Sequence, residues 1–340
     1  MTVSSMARDL AECLLADSEV AHWHTHPAHF NDEGPMAEAV SPTVARRRVR
    51  LALREAREAS KLTQQQVADQ MDWSLSKVIR IENGDVTIAP NDLRPLLGYL
   101  GVKDKSIISA LLIDAKVART RQRQAWYQKP QMREILSDSY RKLIEYEAEA
   151  TAIRYFSIYF IPGPLQLPGY VEAMYELWVD EIPDKNIEGL REAREQRRDT
   201  LLSRAGSVEL FVLLDESVLM RPVGGTRVFL DQLRELHRLA TSGLIKLKMV
   251  PFALDVPITN NASFDLLSLD ANDAEGMLLY HENGLTDEVI EAESSTRRHR
   301  ARYDKVWEEA VSESDTIDFV MARIRTLEAT DTGHRQNNTP

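Results

Sequence analysis

Residues 62–84 read LTQQQVADQMDWSLSKVIRIENG, and the caps, apolar spacings and turn residues in that stretch predict two short helices joined by a tight turn. Thr63 is placed to cap the first helix, and Gln66 three positions on completes a Thr-x-x-Gln capping box. Val67 and Met71 are four apart and therefore share a helix face. Ala68 is small enough to let two helices cross closely. Asp72 and Trp73 make the turn, and Ser74 caps a second helix whose buried face is Val78 and Ile81. Leu75, Ser76, Lys77 and Arg80 are then left pointing outward from the first turns of the second helix. In a helix-turn-helix those turns enter the major groove of DNA and contact base edges. The plainer alternative is a helical hairpin with no nucleic-acid role. Capping, spacing and turn chemistry falling in one register favour the DNA-reading motif.

The stretch resembles the Cro/CI-type (xenobiotic-response-element) helix-turn-helix family, known from phage repressors. The resemblance covers roughly residues 45–105 and rests on the Gln64 start, Ala68, the Val78/Ile81 pair and the closing Glu82-Asn83-Gly84. It implies that Gln64 touches DNA phosphate, that Leu75, Ser76 and Arg80 read bases with Lys77 beside them, and that Asn83 contacts the backbone. Ser74 stands among the phosphate-contacting positions. The resemblance further implies an ion pair between helix one and the closing motif, here Arg57 with Glu82. The family turn usually carries Gly where this chain has Asp72, and aspartate tolerates a positive φ better than most residues. The segment DVTIAPND (85–92) has no basic residue, so no arginine arm into the minor groove is expected there.

Charge supports the same reading once it is divided. The chain is 340 residues long with net charge −11; residues 44–129 carry 17 Lys+Arg against 9 Asp+Glu, a net of +8, which leaves −19 on the remainder. A basic module on an acidic body suits a protein that offers one face to phosphate. Arg46, Arg47 and Arg50, at the start of helix one, are expected to neutralise phosphates; a solvated helix face is the alternative. One cysteine, Cys13, excludes an internal disulfide and fits a reducing cytoplasm. No apolar run approaches the roughly 18 residues of a spanning helix, and the N-terminus has no secretory-signal pattern. The expected location is therefore the cytoplasm, at the nucleoid, with no membrane partner.

The length allows two domains. Residues 1–42 read as a flexible acidic extension, of which 1–35 look like an upstream addition before a natural start at Met36. It contains WHTHPAHF (23–30), which with His22 holds four of the eight histidines. Without cysteine or carboxylate spacing, that cluster is read as tail rather than metal site. Residues 43–118 form the DNA-binding domain. Its helices are expected at 43–59, within the motif, from an Asn91 cap to Leu100, and over 104–118, the five-helix count of the phage-repressor fold. A basic linker (119–130), an α+β domain (131–329) and a polar, unstructured tail (330–340) follow. Strands are expected at 152–163, 207–219, 245–252, 263–270 and 277–284, with helices at 168–178, 184–204, 226–240, 295–311 and 315–328. The fold class is α+β overall: an all-α five-helix DNA-binding domain, then a mixed α/β sheet flanked by helices.

Chemistry is sparse in the second domain. Asp215 and Glu216 adjoin a strand end, but neighbouring strand residues face opposite ways and make a poor catalytic pair. Gly224-Gly225-Thr226 reads as a helix start rather than a phosphate loop, lacking the lysine and the longer pattern. His281-Glu282 reads as a surface pair, and Met174, Tyr175 and Trp178 as core. No catalytic residue, metal site or cofactor is assigned, and the chain is not read as an enzyme. The blocks IPGPLQLPGYVEAM, REAREQRRDTLL, LLDESVLMRPVGG, MVPF, SFDLLSL and LLYHEN follow the order of a C-terminal domain of uncharacterised function common in actinomycete helix-turn-helix regulators. This likeness spans about 140–325. That resemblance implies an antitoxin-like protein that binds a short partner encoded nearby. Two functions therefore stand: a homodimeric regulator reading an inverted-repeat operator in double-stranded DNA, and an interaction protein that sequesters a small partner and binds DNA for autoregulation.

Overall fold

In the amino-terminal segment four of the five helices begin where a side chain accepts from free backbone N–H groups, and the fourth begins on a proline that has none to satisfy. The protein is described from a computed structural model over residues 41–120, 125–177, 184–254, 262–269, 277–282 and 287–336. The extension with its histidines and Trp178 lie outside them. Helix α1 (Pro42–Ala59) starts on Ser41, whose hydroxyl accepts from Val44 N, with Pro42 in the first turn where no N–H is missed. Helix α2 (Gln64–Met71) carries the full Thr63/Gln66 capping box and ends at Asp72, left-handed at φ +53°. Helix α3 (Leu75–Asn83) is capped by Ser74 and stopped by Gly84 at φ +82°. Helix α4 (Pro90–Tyr99) begins one residue before the expected Asn91 cap, because Pro90 fixes the first helical φ. Helix α5 (Lys105–Val117) is capped by Asp104. The five helices close over Val49, Leu53, Val67, Ala68, Val78, Ile81, Leu93 and Leu97, all nearly or fully buried.

The expected basic linker is partly structured. Tyr127, in a 3₁₀ turn (Trp126–Gln128), is buried with Met132, Leu136, Ile144 and Ala193. Helices α6 (Pro130–Ile135) and α7 (Asp138–Glu149) lead into strand β1 (Ala152–Ser157). Then come α8 (Pro168–Leu177), α9 (Asp184–Ser203), β2 (Glu209–Asp215), α10 (Glu216–Met220), α11 (Gly225–Thr241) and β3 (Lys246–Val250). Strands β4 (Phe264–Ser268), β5 (Leu278–Glu282) and β6 (Asp287–Ile290) precede α12 (Glu293–Glu309) and α13 (Glu313–Gln336). The six strands lie in the order β3-β2-β1-β4-β5-β6. The three strands joined by helical crossovers are parallel, and the remaining pairings are antiparallel. Alternate residues enter two cores. Ile153, Tyr155, Val212, Leu214, Leu247 and Met249 pack with α11 and α13, whereas Phe156, Leu213, Val250, Phe264 and Leu279 pack with Tyr303 and Val306 of α12.

The mixed sheet is the one expected, although the strand read over 152–163 stops at Ser157, and three further departures stand out. The strand read over 207–219 ends at Asp215, because the Asp215 carboxylate accepts from Ser217 N and starts α10. Strand β6 was not expected: DEVI is short, half polar and paired only with β5. Helix α13 continues to Gln336, through most of the tail read as unstructured.

Candidate nucleic-acid interface

Glu82 organises the motif from inside. Its carboxylate, 8% exposed, receives Arg57 Nε at 2.7 Å and Nη2 at 3.1 Å, and Gln64 Nε2 at 2.7 Å. Arg57 also donates to Leu62 O at 3.0 Å, so one guanidinium ties α1 to the start of α2 and to α3. The hydrogen bond to Glu82 is the main reason that the Arg57 guanidinium holds its proton above the ordinary arginine range. The Arg57–Glu82 pair is present as the resemblance implies. Gln64, read as a phosphate contact, commits one amide hydrogen to Glu82 and keeps the other. No sequence spacing exposes that link, since the two residues sit on different helices.

Ala68, Val78 and Ile81 are buried beneath the motif. Of the four residues read as base-contacting, Leu75, Ser76 and Arg80 are exposed. Leu75 is 38% exposed. Lys77 departs from the expectation. Its Nζ lies 3.7 Å from the centroid of the Trp73 ring and 3.6 Å from Asp92 Oδ2, so the cation bends back along the domain surface while its side chain stays 41% exposed. Ser74 serves as the cap, its Oγ accepting from Lys77 N at 3.2 Å, and Asn83 is exposed on the last turn of α3.

The arginines of helix one require the largest correction. Arg47 and Arg50 are 4% and 9% exposed and face the second domain, not open solvent. Arg47 Nη2 donates to Met277 O at 3.4 Å, and Arg50 pairs with Glu291, which also receives Tyr146 Oη at 2.9 Å. At the same seam Ser41 N donates to Glu149 Oε1 at 2.8 Å, and Val44 enters the core of the second domain. Phosphate contact by Arg47 and Arg50 does not fit this placement; Arg46 remains half-exposed. The i, i+3 spacing of Arg47 and Arg50 put them on one face, but only tertiary packing decides what that face meets. The acceptors lie about a hundred to over two hundred residues downstream, where no local pattern advertises them. Arg50 reaches the reading helix as well. A Cβ on Gly84 would stand 3.0 Å from Arg50 Cδ, so the αL glycine ending α3 also makes room for the arginine.

Glu145, beside this seam, is buried with Oε1 accepting from Gln128 Nε2 at 3.0 Å and Oε2 without a hydrogen bond among the described residues. Burial pushes its carboxyl from an ordinary 4.5 up to about 7, more than the Gln128 hydrogen bond and the Arg46 charge lower it. The folded protein therefore binds more protons than the unfolded chain between those values, and stability falls as pH rises through that window. Glu145→Gln removes this slope. Thermal unfolding should show the variant gaining on the wild type at pH 8 relative to pH 5; parallel behaviour at both would show that Glu145 does not titrate in this window.

Several other residues singled out in the second domain have structural partners. Asp215 caps α10, and Glu216 Oε2 accepts from Phe252 N at 2.8 Å. Gly224 and Gly225 take positive φ at the start of α11, where a Cβ on Gly224 would clash with Ala173 at 2.7 Å. Met174 and Tyr175 are core. Among the described residues no group of three potential ligands is placed to hold a metal ion, and no helix is long and apolar enough to cross a membrane.

A family described as a helix-turn-helix domain matches residues 48–106, from within α1 through α2, the exposed α3 and α4 to the start of α5. A second family, described as a domain of unknown function (DUF5753), matches residues 140–322, more than half of the chain. The chain belongs to the DUF5753 family. No curated protein and no solved structure matches it. This DUF5753 member is thus a helix-turn-helix DNA-binding regulator with a C-terminal domain of unknown function. The DUF5753 match begins inside α7 and takes in Glu145, Met277 and Glu291, the second domain's side of the arginine seam.

Proposed function

We propose that this protein is a sequence-specific transcriptional regulator of the Cro/CI type that acts by binding rather than catalysis. Helix α3 enters the major groove, and the second domain dimerises the chain and receives a small-molecule or protein signal. The observation that carries the reading is the exposed trio Leu75, Ser76 and Arg80 on a helix whose opposite face is locked by Val78, Ile81 and the Arg57–Glu82–Gln64 cluster. A reading helix must hold its outward side chains at fixed depth, and a buried ion pair at its last turn supplies that constraint. A dimer of such modules reads half-sites about one helical turn apart, roughly 34 Å. Arg80→Ala should weaken specific binding by on the order of 1–3 kcal/mol and relax base preference at one position of each half-site. Equal binding and an identical footprint for the variant would show that the reading face is misassigned.

The second reading, sequestration of a small protein partner with DNA binding for autoregulation, is favoured by a different feature. Tyr159, Met220 and Phe252 are exposed just beyond the carboxyl-terminal ends of the parallel strands β1, β2 and β3. Exposed apolar side chains that follow the same ends of three neighbouring strands suit a protein contact. Co-purification from the native host separates the readings: a stoichiometric short partner supports sequestration, and a homodimer alone supports the regulator.

A further inference from the structure

Helix α9 carries four arginines, and among the described residues three of them meet carboxylates. Arg191 reaches Glu172 and Glu188, Arg197 reaches Glu147, and Arg198 reaches Glu235. Arg194 meets neutral acceptors instead: Nε donates to Tyr175 Oη at 3.1 Å and Nη1 to Gln166 Oε1 at 3.0 Å. Its side chain is partly buried, and Tyr175 and Gln166 are buried beside it. A guanidinium withdrawn from water ordinarily finds an opposite charge. Tying α9 to its neighbours does not account for this one, since two neutral hydrogen bonds leave the whole charge uncompensated.

The surroundings add donors rather than acceptors. Gln166 spends Nε2 on Ile161 O at 2.7 Å, and the oxygens of Tyr175 and Tyr140 accept from Arg194 and Arg197. Burial pushes the Tyr175 phenol above its ordinary range, so it keeps its O–H as a donor. Neither phenol hydrogen has an acceptor among the described residues. A short 3₁₀ turn, Gly163–Leu165, leaves an opening at this point. A Cβ on Gly163 would stand 3.2 Å from Arg197 Nη1 and 3.4 Å from Arg194 Nη1, and outside the turn itself no atom beyond these two guanidinium groups comes nearer than 4.0 Å. Gly163, Tyr140 and Arg194 are all partly exposed, so solvent reaches the opening. Arg194 and Arg197 against Glu147 leave the cluster with a surplus of one positive charge.

We infer that Arg194, with the Tyr140 and Tyr175 hydroxyls beside Gly163, binds the carboxylate of a small organic acid. A single surplus charge matches a carboxylate better than a phosphate dianion, and the planar guanidinium fork fits a planar anion. The site would give the second domain the small-molecule signal proposed above; its regulatory meaning rests on that reading, whereas the binding itself does not.

The test is thermal unfolding of the full chain in sodium benzoate, acetate, phosphate and chloride at matched ionic strength. Wild type should gain roughly 2–4 °C in about 100 mM benzoate or acetate relative to chloride, along a saturating dose curve. Arg194→Met should lose that gain, and so should Gly163→Ala, whose methyl fills the opening without removing a charge. In chloride Arg194→Met should unfold no earlier than wild type, because methionine removes an uncompensated charge and keeps the apolar stem. A wild type insensitive to both carboxylates would overturn the site, and an equal gain in all three proteins would place the anion elsewhere and overturn it too. A gain in phosphate alone would overturn the carboxylate assignment. Binding of a mixed-sequence duplex at low salt is scored separately: wild type that responds to carboxylate yet binds no DNA would overturn the regulator reading and leave this site standing.

Discussion

Glu147→Ala should cost about 3–5 kcal/mol of folding stability, the range for removing one partner of a buried ion pair. Glu147 and Arg197 are 4% and 6% exposed, and the guanidinium meets the carboxylate in a two-point fork, Nε to Oε2 at 2.5 Å and Nη2 to Oε1 at 2.6 Å. Tyr155 Oη approaches the same carboxylate at 3.4 Å, and Tyr140 Oη accepts from Arg197 Nη1 at 3.2 Å. Alanine would leave the guanidinium with a phenol and no anion inside a core that admits little water. The pair also joins α7 to α9, so its loss loosens the helices packed around β1. Urea unfolding of wild type and variant measures the difference. A loss below about 1 kcal/mol would mean that water reaches Arg197 and that the pair is weaker than its burial indicates.

Arg57→Ala should cost a similar amount, on the order of 3 kcal/mol, and should weaken DNA binding as well. The substitution leaves the buried Glu82 carboxylate with Gln64 as its remaining side-chain donor and frees the Leu62 carbonyl from its guanidinium. Glu82→Ala in the same background should restore part of the stability, because the uncompensated charge is then gone. That non-additivity marks a direct pair rather than two independent packing defects. Strictly additive losses in unfolding experiments would contradict the assignment of Glu82 as the hub of the motif.

The five-helix segment was legible because its signals are local. Thr63 with Gln66, Ser74, Asp72 and Gly84 each act within four residues, and each does in the structure what its chemistry predicts. The strands were legible from β-branched and aromatic runs bounded by turns, and β6 escaped because DEVI carries no apolar alternation that distinguishes it from loop. The failures share one cause. Arg47 and Arg50 look like a solvated basic face until Met277 and Glu291 are placed against them, and Lys77 looks outward until Trp73 and Asp92 draw it back. Charge at a helix surface states what a residue prefers to meet, and only the assembled chain decides whether that is phosphate, carboxylate or an aromatic ring.

The most direct measurement is selection of bound duplexes from a random pool by the full-length protein at moderate salt, followed by sequencing. Reading by α3 predicts enrichment of a two-fold symmetric site with half-sites about one turn apart, lost or blurred when Arg80 is alanine. A pool that emerges from repeated selection with no enriched sequence would contradict the claim that this helix reads DNA.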